Sequence, residues 1–227
     1  MLQRAPVAPL NTAAARASGA ALREHAYDEI KRRIISCEFR PGAPINEAQV
    51  ASMLGLGRTP VHHALHRLEV EGMVSIMPRK GVLVAPLSLN DVLDMIEVRA
   101  TNEVLCVTLA AERAHDADLR AMRDIVEASP AMIERRDIGA LMALDLKFHV
   151  AVSAASRNRV LADLLRNLHE KQARFWFLSL SDPEHLNNVY REHLTLLDAL
   201  ERRDVPAARE AIRQHIAEFR KNIIRSI

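Results

Sequence analysis

Four side chains stand out for the chemistry they could do together. Asp145 and His149 lie four residues apart in a stretch, 138–156, that reads as one helix, so they share a face one turn apart. The apolar stripe of that helix, Leu141, Leu144, Phe148 and Val152, runs along the same face. His193 shares the inward side of Val189, Leu196, Leu197 and Leu200, and His215 that of Ala208, Ala211, Ile212 and Phe219. An inward carboxylate needs a partner. Three neutral imidazoles and one carboxylate form a donor set for a divalent metal, Zn²⁺ first, with Ni²⁺, Co²⁺ or Mn²⁺ as alternatives. Each histidine taken singly reads as an ordinary hydrogen-bonded core residue, and helical spacing alone does not bring the four to one point.

A second constellation suits DNA. The stretch Gly57-Arg58-Thr59-Pro60-Val61-His62-His63-Ala64-Leu65 opens a short helix. Arg58 and Thr59 stand at its start, where the helix dipole favours phosphate. His62 and His63 follow on the face opposite Leu65, and Arg67 is placed to reach the backbone. Arg79 and Lys80 sit at the tip of a predicted hairpin and suit a minor-groove or phosphate contact.

The elements that must position these groups follow from pattern. Ala, Leu, Arg and Glu dominate and aromatics are only 4%, which favours helix over a β-sandwich. Residues 1–19, rich in Ala, Pro and Arg without an amphipathic period, read as a flexible tail. A helical pattern starts at Leu22 and stops before Arg40-Pro41-Gly42. A short helix spans about 46–54, with Asn46 as N-cap and Val50, Met53 and Leu54 inward. The helix bearing Arg58 runs to about Glu71, with Val61, Leu65 and Leu68 as its stripe. The period then changes to short strands at 73–76 and 82–84. Three helices and a basic-tipped hairpin describe a winged helix-turn-helix over 20–87. From Ser88 onward only helical period remains, with six helices predicted at about 88–114, 117–135, 138–156, 158–180, 183–202 and 205–225. Pro130 should bend or break the second. The fold class is therefore mainly α, a winged helix-turn-helix followed by an all-α six-helix antiparallel bundle over 88–227.

Charge agrees with this division. Residues 1–87 carry 11 cations against 7 anions, whereas 88–227 carry 20 against 22, a modest sign of a polyanion partner for the first part. No stretch approaches the about 20 apolar residues of a membrane span, so no membrane is expected. The first 20 residues hold no apolar block of signal-peptide length. Cys37 and Cys106 do not form a disulfide framework, and a cytoplasmic location is expected.

Residues 20–87 resemble the GntR family of bacterial transcription regulators. The resemblance rests on Pro41-Gly42, Arg58-Thr59-Pro60-Val61, Ala64-Leu65, Arg67-Leu68-Glu69, Glu71-Gly72 and Arg79-Lys80-Gly81-Val82. It implies DNA contacts from the second helix, the recognition-helix start and the wing, and carries over to Arg58 and Thr59. The chain departs from the family pattern at Ala48, Gly57 and His62-His63, where members usually carry a polar or charged residue, a Ser or Thr, and an Arg-Glu pair. A histidine lacks the bidentate arginine fork.

The remainder resembles the FCD effector-binding domain of the FadR-like branch, with a six-helix length similar to the VanR-like subgroup. The matching stretches are Glu97-Val98-Arg99 with Glu103, Asp145 through His149, Ala155 through Asn158, Glu192-His193, and Asp204 through His215. The resemblance implies that Asp145, His149, His193 and His215 hold a metal with open positions. It also implies that a small carboxylate effector completes the metal shell and meets Arg99, with Asn158 near the same cavity. For Arg99 an ion pair, and for Asn158 an N-cap, are the plainer readings.

The expected function is a homodimeric transcription regulator, a repressor, on a palindromic double-stranded operator. A small organic acid bound at the metal and Arg99 would shift it between two states. Two rivals remain at this point. One is a metal-dependent hydrolase or lyase, for which the sequence offers no convincing general base. The other is a DNA-binding dimer whose metal is structural only.

Overall fold

Helix punctuation sets most of the architecture. The computed structural model describes residues 12–77, 81–179 and 183–226. Contacts divide the chain into two compact units, one running to Ile34 and resuming over Glu38–Ala85, the other made of Ile35–Cys37 with Pro86 onward.

In the first unit α1 spans Thr12–Ile35, β1 Pro44–Ile45, α2 Glu47–Leu54, α3 Arg58–Val70, β2 Val74–Met77 and β3 Gly81–Val84. Helix α1 begins ten residues before the expected Leu22, so the part of the expected tail from Thr12 onward is helical. The cause is alanine: Ala13, Ala14, Ala15, Ala17, Ala20 and Ala21 favour helix without needing an apolar stripe. Residues 1–11 of the expected tail lie outside the described residues. Asn46 caps α2, its Oδ1 accepting from the amides of Ala48 at 3.0 Å and Gln49 at 3.2 Å. Gly55, at φ +64°, turns the chain out of α2, a left-handed conformation that glycine takes without strain.

β1, β3 and β2 form an antiparallel sheet in that order, with Ser75 opposite Leu83 and Pro44 also opposite Leu83. β1 was not legible in the sequence, because two residues carry no period. Ile30, Ile34, Val61, Leu65, Leu68 and Val84 fill the core. Met53 points out and is 47% exposed, contrary to the expected inward position; the one-turn stripe of α2 is met by Val50 and Ala51 instead.

In the second unit α4 spans Leu89–Arg113, α5 Asp116–Glu127, α6 Ser129–Arg135, α7 Ile138–Ala155, α8 Arg159–Ser179, α9 Pro183–Glu201 and α10 Val205–Ser226. Ser88 caps α4 by accepting from Asp91 N, Asp137 caps α7 through Ala140 N, and Asp204 caps α10 through Ala207 N. The second expected helix is cut in two beside Pro130, so the described part of this unit has seven helical segments rather than six. The unit is all-helical, as expected. Phe148, Leu165, Leu196, Leu197, Leu200 and Ile212 form the centre of its core, and Phe175 and Trp176 are buried in it.

By length and composition α7 is long and apolar enough to cross a membrane, which the sequence reading did not anticipate. Its Leu141, Phe148, Val152 and Ala155 belong to the bundle core. The same buried face carries His149, which marks a core helix with a polar task.

Candidate metal centre and nucleic-acid interface

The bundle brings its inward histidines together. α7 supplies His149, α9 His193 and α10 His215, all buried. Their ring centroids form a near-equilateral triangle with sides of 5.2, 5.1 and 5.1 Å. One nitrogen from each lies within 4.8 Å of the other two. Asp145, one turn before His149, places Oδ1 3.8 Å from His149 Nε2 and 3.4 Å from His193 Nε2. Thus the three histidines inferred from helix faces meet, and Asp145 stands beside two of them, His149 and His193.

The electrostatics of His149 and His193 favour the neutral imidazole, the form that ligates a metal. Burial holds His149 and His193 well below the usual histidine range, and the neighbouring rings add to it. Burial pushes Asp145 up to about 6 although His215 and Arg99 pull it down. Among the described residues His193 Nε2 is buried without a hydrogen bond, a costly state for a ring nitrogen unless a ligand takes it. His215 Nδ1 lies 2.8 Å from Glu192 Oε2. Such a carboxylate–imidazole pair fixes the ring and leaves Nε2 free, as around metal-bound histidines. This donor set fits a divalent ion.

A second polar layer backs the first, and sequence reasoning missed most of it. His169 of α8 stacks on His149, centroids 4.3 Å apart. Glu103 of α4 lies 3.2 Å from His169 and 3.9 Å from His149. Burial raises the Glu103 carboxyl, but Arg99 and His169 outweigh it and hold it well below the usual range. Burial pushes His169 down to about 4, and Arg99 adds to it. Glu103, His149 and His169 form a second group whose ligand atoms lie within 4.8 Å. Arg99, however, already neutralises that carboxylate. A helical period could have found His169 and Gln172, because each lies four residues beyond a buried leucine, Leu165 and Leu168.

Arg99 is 3% exposed. Its Nε donates to Glu103 Oε1 and its Nη1 to Gln172 Oε1, both at 2.6 Å. Asn158 caps α8, its Oδ1 accepting from Leu161 N at 3.2 Å. A small cavity beside the triad is lined by Asp145, His193, Leu141, Trp176, Leu186 and Tyr190. Its volume, about 20 Å³, has room for about one water.

In the first unit Arg58 and Thr59 are exposed at the start of α3, and His62 and His63 are exposed on its outer face. Arg67 is engaged within the unit. It lies over the Tyr27 ring, 3.5 Å from the centroid, and donates to Glu24 at 2.9 Å. Tyr27 in turn donates to Glu71 at 2.8 Å, so Arg67 ties α3 to α1. Arg79 and Lys80 lie outside the described residues.

Comparison with known proteins agrees with both units. The model of bacterial regulatory proteins of the gntR family matches residues 22–84, and that of the FCD domain matches 94–218. The Nta operon transcriptional regulator of Aminobacter aminovorans is 30% identical over 193 residues, 85% of this chain and 90% of that protein. The HTH-type transcriptional repressor RspR of Escherichia coli K12 is 25% identical over 197 residues, covering 87% and 86%. The solved structure of E. coli McbR/YncC superposes with a TM-score of 0.81 at 20% identity, covering 90% of this chain and 97% of that one. The chain belongs to the GntR family of bacterial regulatory proteins, in its FadR-like branch with a C-terminal FCD domain.

Proposed function

We propose that the chain is a cytoplasmic, homodimeric transcription repressor whose grip on a palindromic operator is set by a small organic acid read at a divalent metal, as in the VanR-like subgroup. The observation that carries this is the meeting of three buried imidazoles, with the partly buried Asp145 carboxylate beside two of them. Asp145, His149, His193 and His215 would hold the ion, Zn²⁺ by donor type, with Ni²⁺, Co²⁺ or Mn²⁺ as substitutes. The ion would supply a Lewis-acidic anchor for a carboxylate oxygen. Glu192 orients His215, and Glu103 with His169 backs His149. Arg99 donates two hydrogen bonds inside the bundle, and among the described residues its Nη2 makes none, which leaves a donor for the acid.

The cavity beside Asp145 and His193 lies between α6, α7, α8 and α9, and an acid entering it would press on the α6–α9 side. That is where a difference in affinity between two states can arise. In the other unit Arg58, Thr59, His62 and His63 face DNA, with Arg79 and Lys80 from the wing. Arg67, half exposed beside Tyr27 and Glu24, joins the DNA-facing residues at the DNA backbone.

Thermal unfolding of chelated protein against a panel of small carboxylates, with and without added Zn²⁺, tests this. The reading expects one acid to raise the melting temperature only when metal is present, and to change operator affinity. Metal-dependent stability with no response to any acid would favour a structural ion. Turnover of an acid would favour hydrolase or lyase chemistry.

A further inference from the structure

The recognition helix carries a second histidine constellation, remote in sequence from the bundle ligands. His62 and His66 are four residues apart on the exposed face of α3, their side chains 52% and 49% accessible. Their Nε2 atoms approach to 3.2 Å, with the rings near perpendicular at 83°. Each ring's other nitrogen faces a carboxylate. His62 Nδ1 lies 3.3 Å from Glu47 Oε1, at the start of α2. His66 Nδ1 lies 3.5 Å from Glu69 Oε2, whose second oxygen accepts from Ile76 N at 2.9 Å.

This arrangement has a definite chemical consequence. A carboxylate at Nδ1 favours the Nδ1–H tautomer and leaves the Nε2 lone pair as the acceptor. With both rings so oriented, the Nε2···Nε2 contact is satisfied by a cation shared between the two lone pairs, as it otherwise is by a hydrogen bond from one protonated ring. Two nitrogens on a tetrahedral Zn²⁺, at about 2.0–2.1 Å each, stand about 3.3–3.4 Å apart. The observed gap matches that edge to within about 0.2 Å. A pair of histidines at i and i+4 on one helix face is also the spacing that chelates zinc elsewhere.

We infer that His62 and His66 form a surface site for a divalent transition metal, Zn²⁺ or Ni²⁺, with Glu47 and Glu69 orienting the two rings. The site is separate from the bundle centre and independent of the function proposed for it. An ion seated there consumes both Nε2 lone pairs, so His62 cannot at the same time meet a base or a phosphate.

The test is the number of Zn²⁺ ions bound per full-length chain, by isothermal titration after chelation. Wild type should bind one more ion than His62→Ala or His66→Ala, while His63→Ala should match wild type. A second readout is diethylpyrocarbonate modification mapped by mass spectrometry, in which Zn²⁺ should protect His62 and His66 and leave His63 reactive. These substitutions are at exposed positions, and unchanged melting curves will confirm folding. Equal stoichiometry in wild type and both alanine variants, or no protection of either histidine, overturns the site. Neither outcome bears on the bundle centre, whose ligands are intact in every variant.

Discussion

Replacing Asp145 by asparagine should strengthen the metal-free protein and reduce the stability it gains from metal. Burial lifts the Asp145 carboxyl from 3.8 to about 6, and one unit corresponds to about 1.4 kcal/mol. At pH 8 the ionised group therefore costs the metal-free fold about 3 kcal/mol, an upper figure because the asparagine amide is itself a polar group that needs partners. The sign follows from the raised value. The folded state holds the proton more tightly, so stability is fullest below the unfolded value of 3.8 and is lost as pH rises through about 6. At pH 5 the advantage of Asp145→Asn should fall to about half its value at pH 8. The assay is thermal unfolding of chelated protein at both pH values, then with Zn²⁺ restored. At about 2–4 °C per kcal/mol for a chain of this size, the variant should melt about 5–10 °C higher than wild type at pH 8 without metal. With Zn²⁺ the order should reverse, because only wild type keeps its carboxylate ligand. The reasoning is refuted if the metal-free variant is no more stable than wild type, or if it retains the full rise with Zn²⁺.

Further outcomes follow from the same geometry. Trp176, the single tryptophan, lines the cavity with Asp145 and His193; Ni²⁺ should quench its fluorescence in wild type but not in His193→Ala. Acid should destabilise metal-free Asp145→Asn. His149, His169 and His193 titrate lower in the fold than when unfolded, so the unfolded chain binds more protons below about pH 6.5 and stability falls towards about 4. A flat melting temperature from pH 7 to pH 5 would contradict this. Glu103→Gln strands the buried Arg99 guanidinium and should cost about 3–5 kcal/mol in denaturant unfolding, while Arg99→Leu with Glu103→Leu should recover much of it. Arg58→Ala should weaken an operator selected from random duplexes by about 5- to 150-fold, for a contact of about 1–3 kcal/mol, with unchanged melting. Arg67→Ala should instead lower the melting temperature, because Arg67 stacks on Tyr27.

Periodicity made the first layer of the site legible and hid the second. Asp145, His149, His193 and His215 each share a face with several leucines or alanines, so their inward placement could be read from the chain. His169 and Gln172 sit on an equally regular stripe, but α8 is broadly amphipathic and its polar inward residues look like the edge of that stripe. Glu103 was visible only as a residue near Arg99, and its ties to His149 and His169 exist only once α4, α7 and α8 meet. His66 escaped because an exposed histidine has no pattern; its significance arises from its distance to His62. The first helix extends ten residues beyond its legible pattern for the opposite reason, since an alanine-rich helix needs no stripe. Arg67, expected to reach DNA, also packs over the Tyr27 ring, a contact that no helical period reveals because its partner lies in α1.

The central claim is that the bundle histidines are ligands, and X-ray absorption at the metal edge addresses it most directly. The sample is chelated protein reloaded with one equivalent of Zn²⁺, compared with His215→Ala. The account predicts three imidazoles with oxygen donors in wild type, at about 2.0–2.1 Å from the metal, and two imidazoles in the variant. Two imidazoles in both samples would place the tighter ion on the recognition helix, and none in either would show that the triad is a packed polar core without a metal; both results would contradict the account.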